Sequence, residues 1–384
     1  MHNQQATRIV HLITALGVGG AELKLYRLLR YLQAHNTESI VVSLAEVGPV
    51  GKKIEQLGVP VVAVGIKSGK LPTPYRLLRL LLTVRKARPD IVQGWMYHGN
   101  LAATIAWLFC RRPVRLIWNV RQSLGSLESE RLFTRQIIRI NSWLSRIPER
   151  IVYNSTVSAS QHQAIGFECN KTLYIPNGFD IKAGEHASTL RRKFRKDQGI
   201  DEHTILIGHI ARYHPKKDHE TFIQAARLVL MQNYDVKFIA AGREVDQGNK
   251  VLWNSITKNG LEKHILLVGE ISNVERVIVS LDLLVSSSSW GEGCPNVVGE
   301  AMAASVPCVV TDVGDSAHLV GNTGIVAEPR KPEELGISIV KFLQMSREDR
   351  KYRGQAARSR IKDKFSTDIV GKKYLQLYCF GCYG

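Results

Sequence analysis

Cysteine is scarce in this chain, with six residues scattered through 384. So few, so widely spaced, make no disulfide framework, and a reducing, cytoplasmic compartment is the expectation. Cys379 and Cys382 form one CxxC at the C-terminal end. It lacks the second ligand pair that a zinc site needs at fixed spacing, and it lies far from any βαβ start where a redox motif would sit. Long apolar runs are missing as well. The nearest, Leu101 to Cys110, is about half of the roughly 18 residues of a membrane span, and the polar start Met1 to Ala6 does not read as a signal peptide. The twelve histidines give no HExxH or HxxxH pair, so a metal site is not expected. Acidic residues are rare in one half only. Residues 1–176 hold 23 Lys and Arg against 9 Asp and Glu, a net +14, whereas residues 177–384 hold 29 against 25, a net +4. The first half therefore faces something anionic, whether lipid headgroups, a phosphorylated acceptor or nucleic acid. No zinc finger, helix-turn-helix or RRM-like aromatic signature supports the last of these, and no nucleic-acid partner is expected.

What is present is ordinary globular composition, 44% hydrophobic and 22% charged, in a chain long enough for two domains. Runs rich in β-branched residues recur at Arg8 to Thr14, Ser39 to Leu44, Val59 to Val64, Ile91 to Gly94, Arg115 to Asn119 and Arg150 to Asn154. Helical patterns lie between them, including Ala21 to Ala34, Pro74 to Ala87 and Arg131 to Ser145. This alternation predicts an α/β unit with a parallel sheet covered on both faces. The rhythm restarts after Ile175-Pro176-Asn177-Gly178, with strands at Thr204 to Ala211, Val236 to Ala241, Ile265 to Val268, Leu283 to Ser286 and Pro307 to Thr311. Pro-Asn-Gly is turn chemistry, so the boundary is placed there. Ligands of such folds bind at the carboxyl ends of the strands.

Four segments carry residues suited to chemistry. Gly17-Val18-Gly19-Gly20-Ala21-Glu22 leads from a strand into a helix, where glycines admit a phosphate to backbone N–H groups. It is no Rossmann fingerprint, because Glu22 stands where the last glycine belongs, and a tight turn without ligand is the plain alternative. His98 lies on a loop in Gln93 to Asn100, where an imidazole can exchange a hydrogen bond with a hydroxyl or serve only structure. Arg212 and Lys217 follow a strand and suit a departing diphosphate, unless they are merely a solvated basic loop. The run Ser286-Ser287-Ser288-Ser289-Trp290-Gly291-Glu292-Gly293-Cys294-Pro295-Asn296-Val297-Val298-Gly299-Glu300 sets two carboxylates eight positions apart. Between them a Gly-containing turn and a helix start offer N–H groups to phosphate oxygens.

In order and spacing these segments, continued by Val306-Pro307 and Thr311-Asp312-Val313-Gly314, resemble the retaining GT-B glycosyltransferases of family 4, the group 1 glycosyltransferases, over nearly the whole chain. The resemblance implies two Rossmann-like α/β/α domains facing each other across a cleft. Residues 1–176 would bind the acceptor, residues 177–365 a nucleotide-sugar, and residues 366–384 would cross back onto the first domain. Arg212 and Lys217 would hold the donor diphosphate, and Glu300 the ribose. Glu292 and His98 would lie near the transferred sugar, with Gly19 and Gly20 over the phosphates. Asn177, Gly242, Gly293, Cys294, Pro295, Asn296, Val297 and Val298 complete the expected donor set. No metal and no cofactor is implied. Two residues depart from the pattern: Cys294 and Gly299 replace larger apolar or aromatic groups and are expected to reshape the donor pocket.

The expected reaction is transfer of a sugar, UDP-linked by preference, to a hydroxyl of a saccharide or lipid-linked acceptor with anomeric configuration retained. A nucleotide-sugar epimerase or phosphorylase of the same architecture stands as an alternative, as does a non-catalytic binder of an anionic polymer. Pro74 to Lys86 and Arg131 to Arg146 mix apolar residues with cations. Such helices either lie on an anionic bilayer or pack on their own sheet with their arginines in water.

Overall fold

Two parallel sheets form where the β-branched runs alternate with helices in the computed structural model, which describes residues 6–67, 71–125, 127–181 and 184–380. One unit comprises residues 1–178 with 367–384, and the other residues 179–366. The division therefore falls two residues beyond the cut expected after Pro176, and Asn177 belongs to the first unit.

In the first unit the strands are β1 (Thr7–Ile13), β2 (Thr37–Ser43), β3 (Val61–Ala63), β4 (Ile91–Trp95), β5 (Arg115–Val120), β6 (Arg150–Tyr153) and β7 (Thr172–Tyr174). They lie in the order β3-β2-β1-β4-β5-β6-β7, every pair parallel. Alternate side chains of β1 feed two cores, Val10 and Leu12 on one face and Ile9 and Ile13 on the other. The first face is covered by the helices Pro74–Ala87, Met96–Leu108 and Leu132–Leu144, the second by Gly20–Leu32 and the last helix, Thr367–Phe380. That last helix is tied down by polar contacts as well as by Val370 and Leu377. Asn119 donates to the Tyr374 hydroxyl at 2.8 Å, and the Tyr378 hydroxyl donates to Gln93 Oε1 at 2.6 Å. Arg115, ion-paired with Glu149, donates to the Leu377 and Tyr378 carbonyls at 2.7 and 2.6 Å and so satisfies the orphan acceptors of a helix end. Cys379 is exposed near that end, and Cys382 lies outside the described residues.

The second unit repeats the plan with β8 (Ile205–Ile210), β9 (Val236–Ala241), β10 (Ile265–Gly269), β11 (Leu283–Ser286), β12 (Cys308–Thr311) and β13 (Ile325–Ala327), in the order β10-β9-β8-β11-β12-β13 and again all parallel. Ile207, Leu283 and Val285 face one core, Leu206 and Leu284 the other. In each sheet the order reverses at one place, between β1 and β4 and between β8 and β11. Successive connections leave such a point in opposite directions and open a crevice at the carboxyl ends of the two strands.

Candidate active site

Every catalytic candidate follows one of those four switch-point strands. In the second unit, Arg212 lies just past β8 and Lys217 closes the short turn Pro215–Lys217 before the helix His219–Leu230. Asp218 caps that helix from a left-handed conformation, φ +49°, accepting from the Thr221 N–H at 3.2 Å. Serines after β11 stitch the two loops together. Ser287 Oγ donates to the Lys217 and Asp218 carbonyls at 3.0 and 2.9 Å, while the Ser289 N–H donates to the Lys216 carbonyl at 2.9 Å. Thr311 on β12 holds the same run through the Ser288 carbonyl at 2.6 Å.

Glu292 is buried and ion-paired with Lys217, and its Oε1 also accepts from Ser288 Oγ at 2.8 Å. Burial alone would raise its carboxyl pKa, but Lys217, Ser288 and the nearby Lys216 outweigh burial and leave it below the usual carboxylate range. Its carboxylate is therefore charged at neutral pH and cancels the Lys217 ammonium. Arg212, by contrast, is exposed and makes no hydrogen bond or ion pair among the described residues.

Two glycines show how tightly these loops approach. A Cβ on Gly242, φ +151°, would lie 2.2 Å from the Ala211 carbonyl oxygen, and one on Gly314, φ +60°, 2.1 Å from that of Glu292. Only glycine fits at either contact. Past Gly293, whose carbonyl accepts from the Asp315 N–H at 2.9 Å, Pro295 leads into the helix Asn296–Ala303. This helix has no side-chain N-cap and no acid in its first turn, so the positive end of its dipole favours an anion. Glu300 sits half-buried one turn further along. Among the described residues no three His, Cys, Asp or Glu side chains gather as a metal-holding group.

The two residues expected to reshape the donor pocket point elsewhere. Cys294 and Val298 are buried in the core of the second unit, so only their backbone can meet a ligand. Gly299 makes room for Phe179, a fully buried ring to which an added Cβ would come within 2.1 Å. Phe179 thus occupies the space that a larger residue would fill. We expect Gly299→Ala to destabilise the protein by about 1–3 kcal/mol through overpacking, and a smaller side chain at Phe179 to recover part of that loss. A double-mutant cycle in urea would show the two losses simply adding if the contact were unimportant.

In the first unit, Gly19 is the N-cap of the helix Gly20–Leu32, in extended conformation. Glu22 folds back over it, and its carboxylate oxygen lies 2.3 Å from where a Gly19 Cβ would be. An anion approaching Gly19 and Gly20 meets that carboxylate first, whose pKa is raised by burial, opposed by its own backbone N–H. His98, expected on a loop, instead lies in the first turn of the helix Met96–Leu108, which starts directly at the end of β4. The turn is made by Met96 at φ +63°, a costly conformation for that residue, and Tyr97 is held on both sides. Its hydroxyl meets His162 Nε2 at 2.9 Å, and its carbonyl accepts from Asn141 at 2.8 Å. His98 itself is half-buried, 6.0 Å from the Phe133 ring, and burial lowers its pKa, keeping it neutral. Asn177, expected with the donor set, is buried in the first unit, where Arg121 and Asn154 donate to its side-chain oxygen.

Two Rossmann-like units with such loops are those of a GT-B protein. Family models describing glycosyltransferase family 4, over residues 18–183, and glycosyl transferases group 1, over residues 191–360, match the chain, and it belongs to the group 1 glycosyltransferases. Among characterised relatives, the Escherichia coli UDP-Gal:α-D-GlcNAc-diphosphoundecaprenol α-1,3-galactosyltransferase is 27% identical over 260 residues, 64% of each chain. The Staphylococcus aureus capsular polysaccharide biosynthesis glycosyltransferase CapM is 22% identical over 319 residues, 79% of this chain and 80% of its own. Anabaena HepE, solved in complex with UDP, superposes with a TM-score of 0.81 over 96% of this chain and 99% of its own, at 22% identity.

Proposed function

We propose that this glycosyltransferase moves a sugar from a UDP-sugar to a hydroxyl of a lipid-linked saccharide during assembly of a cell-surface polysaccharide, with the anomeric configuration retained and without a metal ion. The observation that carries the reading is the grouping, at the switch point of the second sheet, of Arg212, which makes no ion pair among the described residues, the Lys217–Glu292 pair and the acid-free N-terminus of the helix Asn296–Ala303. UDP is favoured over other nucleotides by the galactosyltransferase relative and by the UDP complex of HepE, and the lipid-linked acceptor by the same relative.

In this reading the C1–O bond to the β-phosphate breaks while the acceptor oxygen bonds C1 from the same face. The acceptor proton passes to the departing phosphate oxygen, giving glycoside and UDP. Negative charge grows on the leaving diphosphate, so preorganised donors act most strongly in the transition state. Arg212 and the helix N–H groups supply that field. Lys217, already neutralised by Glu292, contributes fully once a diphosphate competes for it, which places the carboxylate beside the sugar hydroxyls. Glu300 holds the ribose. Neutral His98 orients a hydroxyl of the sugar or acceptor, donating at one ring nitrogen and accepting at the other.

The test is sugar transfer from UDP-, GDP- and ADP-sugars to an undecaprenyl-diphosphate-linked saccharide in the presence of EDTA, with the product's anomeric configuration read by NMR. UDP-dependent transfer with an α-linked product from an α-donor is expected. Inversion would overturn the retaining mechanism, and hydrolysis or isomerisation of the donor without transfer would overturn the transferase reading of this site.

A further inference from the structure

The excess positive charge of the first unit collects on one layer. The helices Pro74–Ala87, Met96–Leu108 and Leu132–Leu144 pack side by side in that order over a single face of the sheet. From Leu71 to Arg88, from Met96 to Arg115 and from Arg131 to Ile147 there is no Asp or Glu. Arg79, Arg85, Lys86, Arg131 and Arg139 are exposed and make no ion pair among the described residues.

The same layer shows large apolar groups to solvent at helical spacing. Tyr75, Leu78 and Leu82 follow one another up the first helix, with Tyr75 73% exposed. On the third helix Leu132, Ile140 and Trp143, with Ile147 just past its end, form a second stripe, with Trp143 80% exposed and Leu132 74%. Scattered surface leucines need no explanation, but a tryptophan left almost wholly in water among arginines does. These two helices are thus apolar on both sides: their inner stripes, including Leu80, Val84, Ile137 and Ile138, fill the core, so the outer stripes are not needed for folding.

We infer that this three-helix face docks on an anionic lipid bilayer, with Trp143, Ile140, Leu132 and Tyr75 entering the interfacial zone and the arginines meeting lipid phosphates. The pairing of exposed aromatic and aliphatic groups with an acid-free cationic surround matches the interface of an anionic membrane, where ring and cation are each favoured at headgroup depth. A nucleic acid would reward the cations but not the aliphatic stripe, and a second copy of this face would repel the first by its charge. The geometry also gives the docking a use. Phe133 of the outermost helix packs on His98, so a saccharide carried on a membrane lipid would leave the bilayer beside that imidazole. This last point rests on the lipid-linked acceptor proposed above; the docking itself does not.

Co-sedimentation of the full chain with vesicles of phosphatidylglycerol and phosphatidylcholine, against phosphatidylcholine alone, tests the inference. Binding to the anionic vesicles at low salt, weakened by high salt, is expected. Arg79→Gln and Arg139→Gln should each lower the partition coefficient about five-fold, and Trp143→Ala about ten-fold or more. Trp143→Ala should also slow transfer to the lipid-linked acceptor in vesicles while leaving transfer to a short-chain soluble analogue unchanged. Absence of binding to anionic vesicles at low salt would overturn the proposal. So would binding that the variants leave intact, a duplex DNA fragment bound as tightly and insensitively to Trp143→Ala, or a dimer that Trp143→Ala dissociates. UDP binding measured on the same samples separates the two claims. Intact nucleotide binding without vesicle binding defeats the docking alone, and the reverse defeats only the transferase reading.

Discussion

Arg212→Ala is expected to lower kcat/KM for sugar transfer about a hundred- to a thousand-fold while leaving the unfolding free energy unchanged within about 0.5 kcal/mol. The two halves of that result have separate causes. Arg212 is exposed and has no partner among the described residues, so nothing in the folded protein loses an interaction when it is removed. Its field is felt only when a charge develops at the end of β8, as it does on a leaving diphosphate. Lys217→Ala should behave differently, because the buried Glu292 carboxylate loses its counter-ion and keeps its charge out of water without it. That variant should lose stability as well as activity. Arg212→Lys should restore only part of the rate, since an ammonium cannot present the planar fork of a guanidinium. Steady-state kinetics beside urea denaturation would distinguish these outcomes. An Arg212→Ala enzyme with near-normal kcat/KM would remove the guanidinium from the site.

Arg195→Ala is expected to show the opposite signature, a loss of about 3–5 kcal/mol in unfolding free energy with nucleotide affinity preserved in the folded fraction. Arg195 is 1% exposed and saturates its donors. It reaches the Ser280 carbonyl from two nitrogens at 3.1 and 3.0 Å and the Asp201 and Thr204 carbonyls at 2.8 and 2.9 Å. A further bond meets Asp282 Oδ2 at 2.6 Å, while Arg191 takes Oδ1 at 2.7 Å. Removing Arg195 takes a donor from the Ser280, Asp201 and Thr204 carbonyls and from Asp282, and leaves a void in their midst. Because Asp282 precedes β11, this network lies at the opposite end of that strand from Glu292, and the damage should not reach the donor loops. Chemical denaturation with UDP titration at low temperature would check both parts, and a variant of normal stability would show that the network is dispensable.

The sheets were legible because buried parallel strands are written as β-branched runs, and all eleven such runs became strands. Missing from that reading were β7 and β13. Each is a three-residue edge strand, too short for a run and too half-buried for a pattern. Glu292, Lys217 and Arg212 stood out because charge beside a buried strand end is hard to explain as core. Their wiring did not stand out: a serine run cannot announce which carbonyls its hydroxyls will meet, and Ser287 and Ser288 act through loops seventy and four residues away. His98 was visible, but its setting was not, because the helix begins through a positive φ at Met96 that no propensity favours. Nor could Phe179 be foreseen as the complement of Gly299. A glycine in a helix records only that something comes close.

Calorimetric titration of the intact chain with UDP in EDTA, repeated with Arg212→Ala and Glu300→Ala, bears most directly on the claim that the second unit holds a nucleoside diphosphate between its basic loop and the helix Asn296–Ala303. The account predicts saturable binding to the unaltered protein and affinity reduced at least about ten-fold in each variant, equivalent to about 1.4 kcal/mol. Absence of UDP binding, or binding that both variants retain in full, would contradict it.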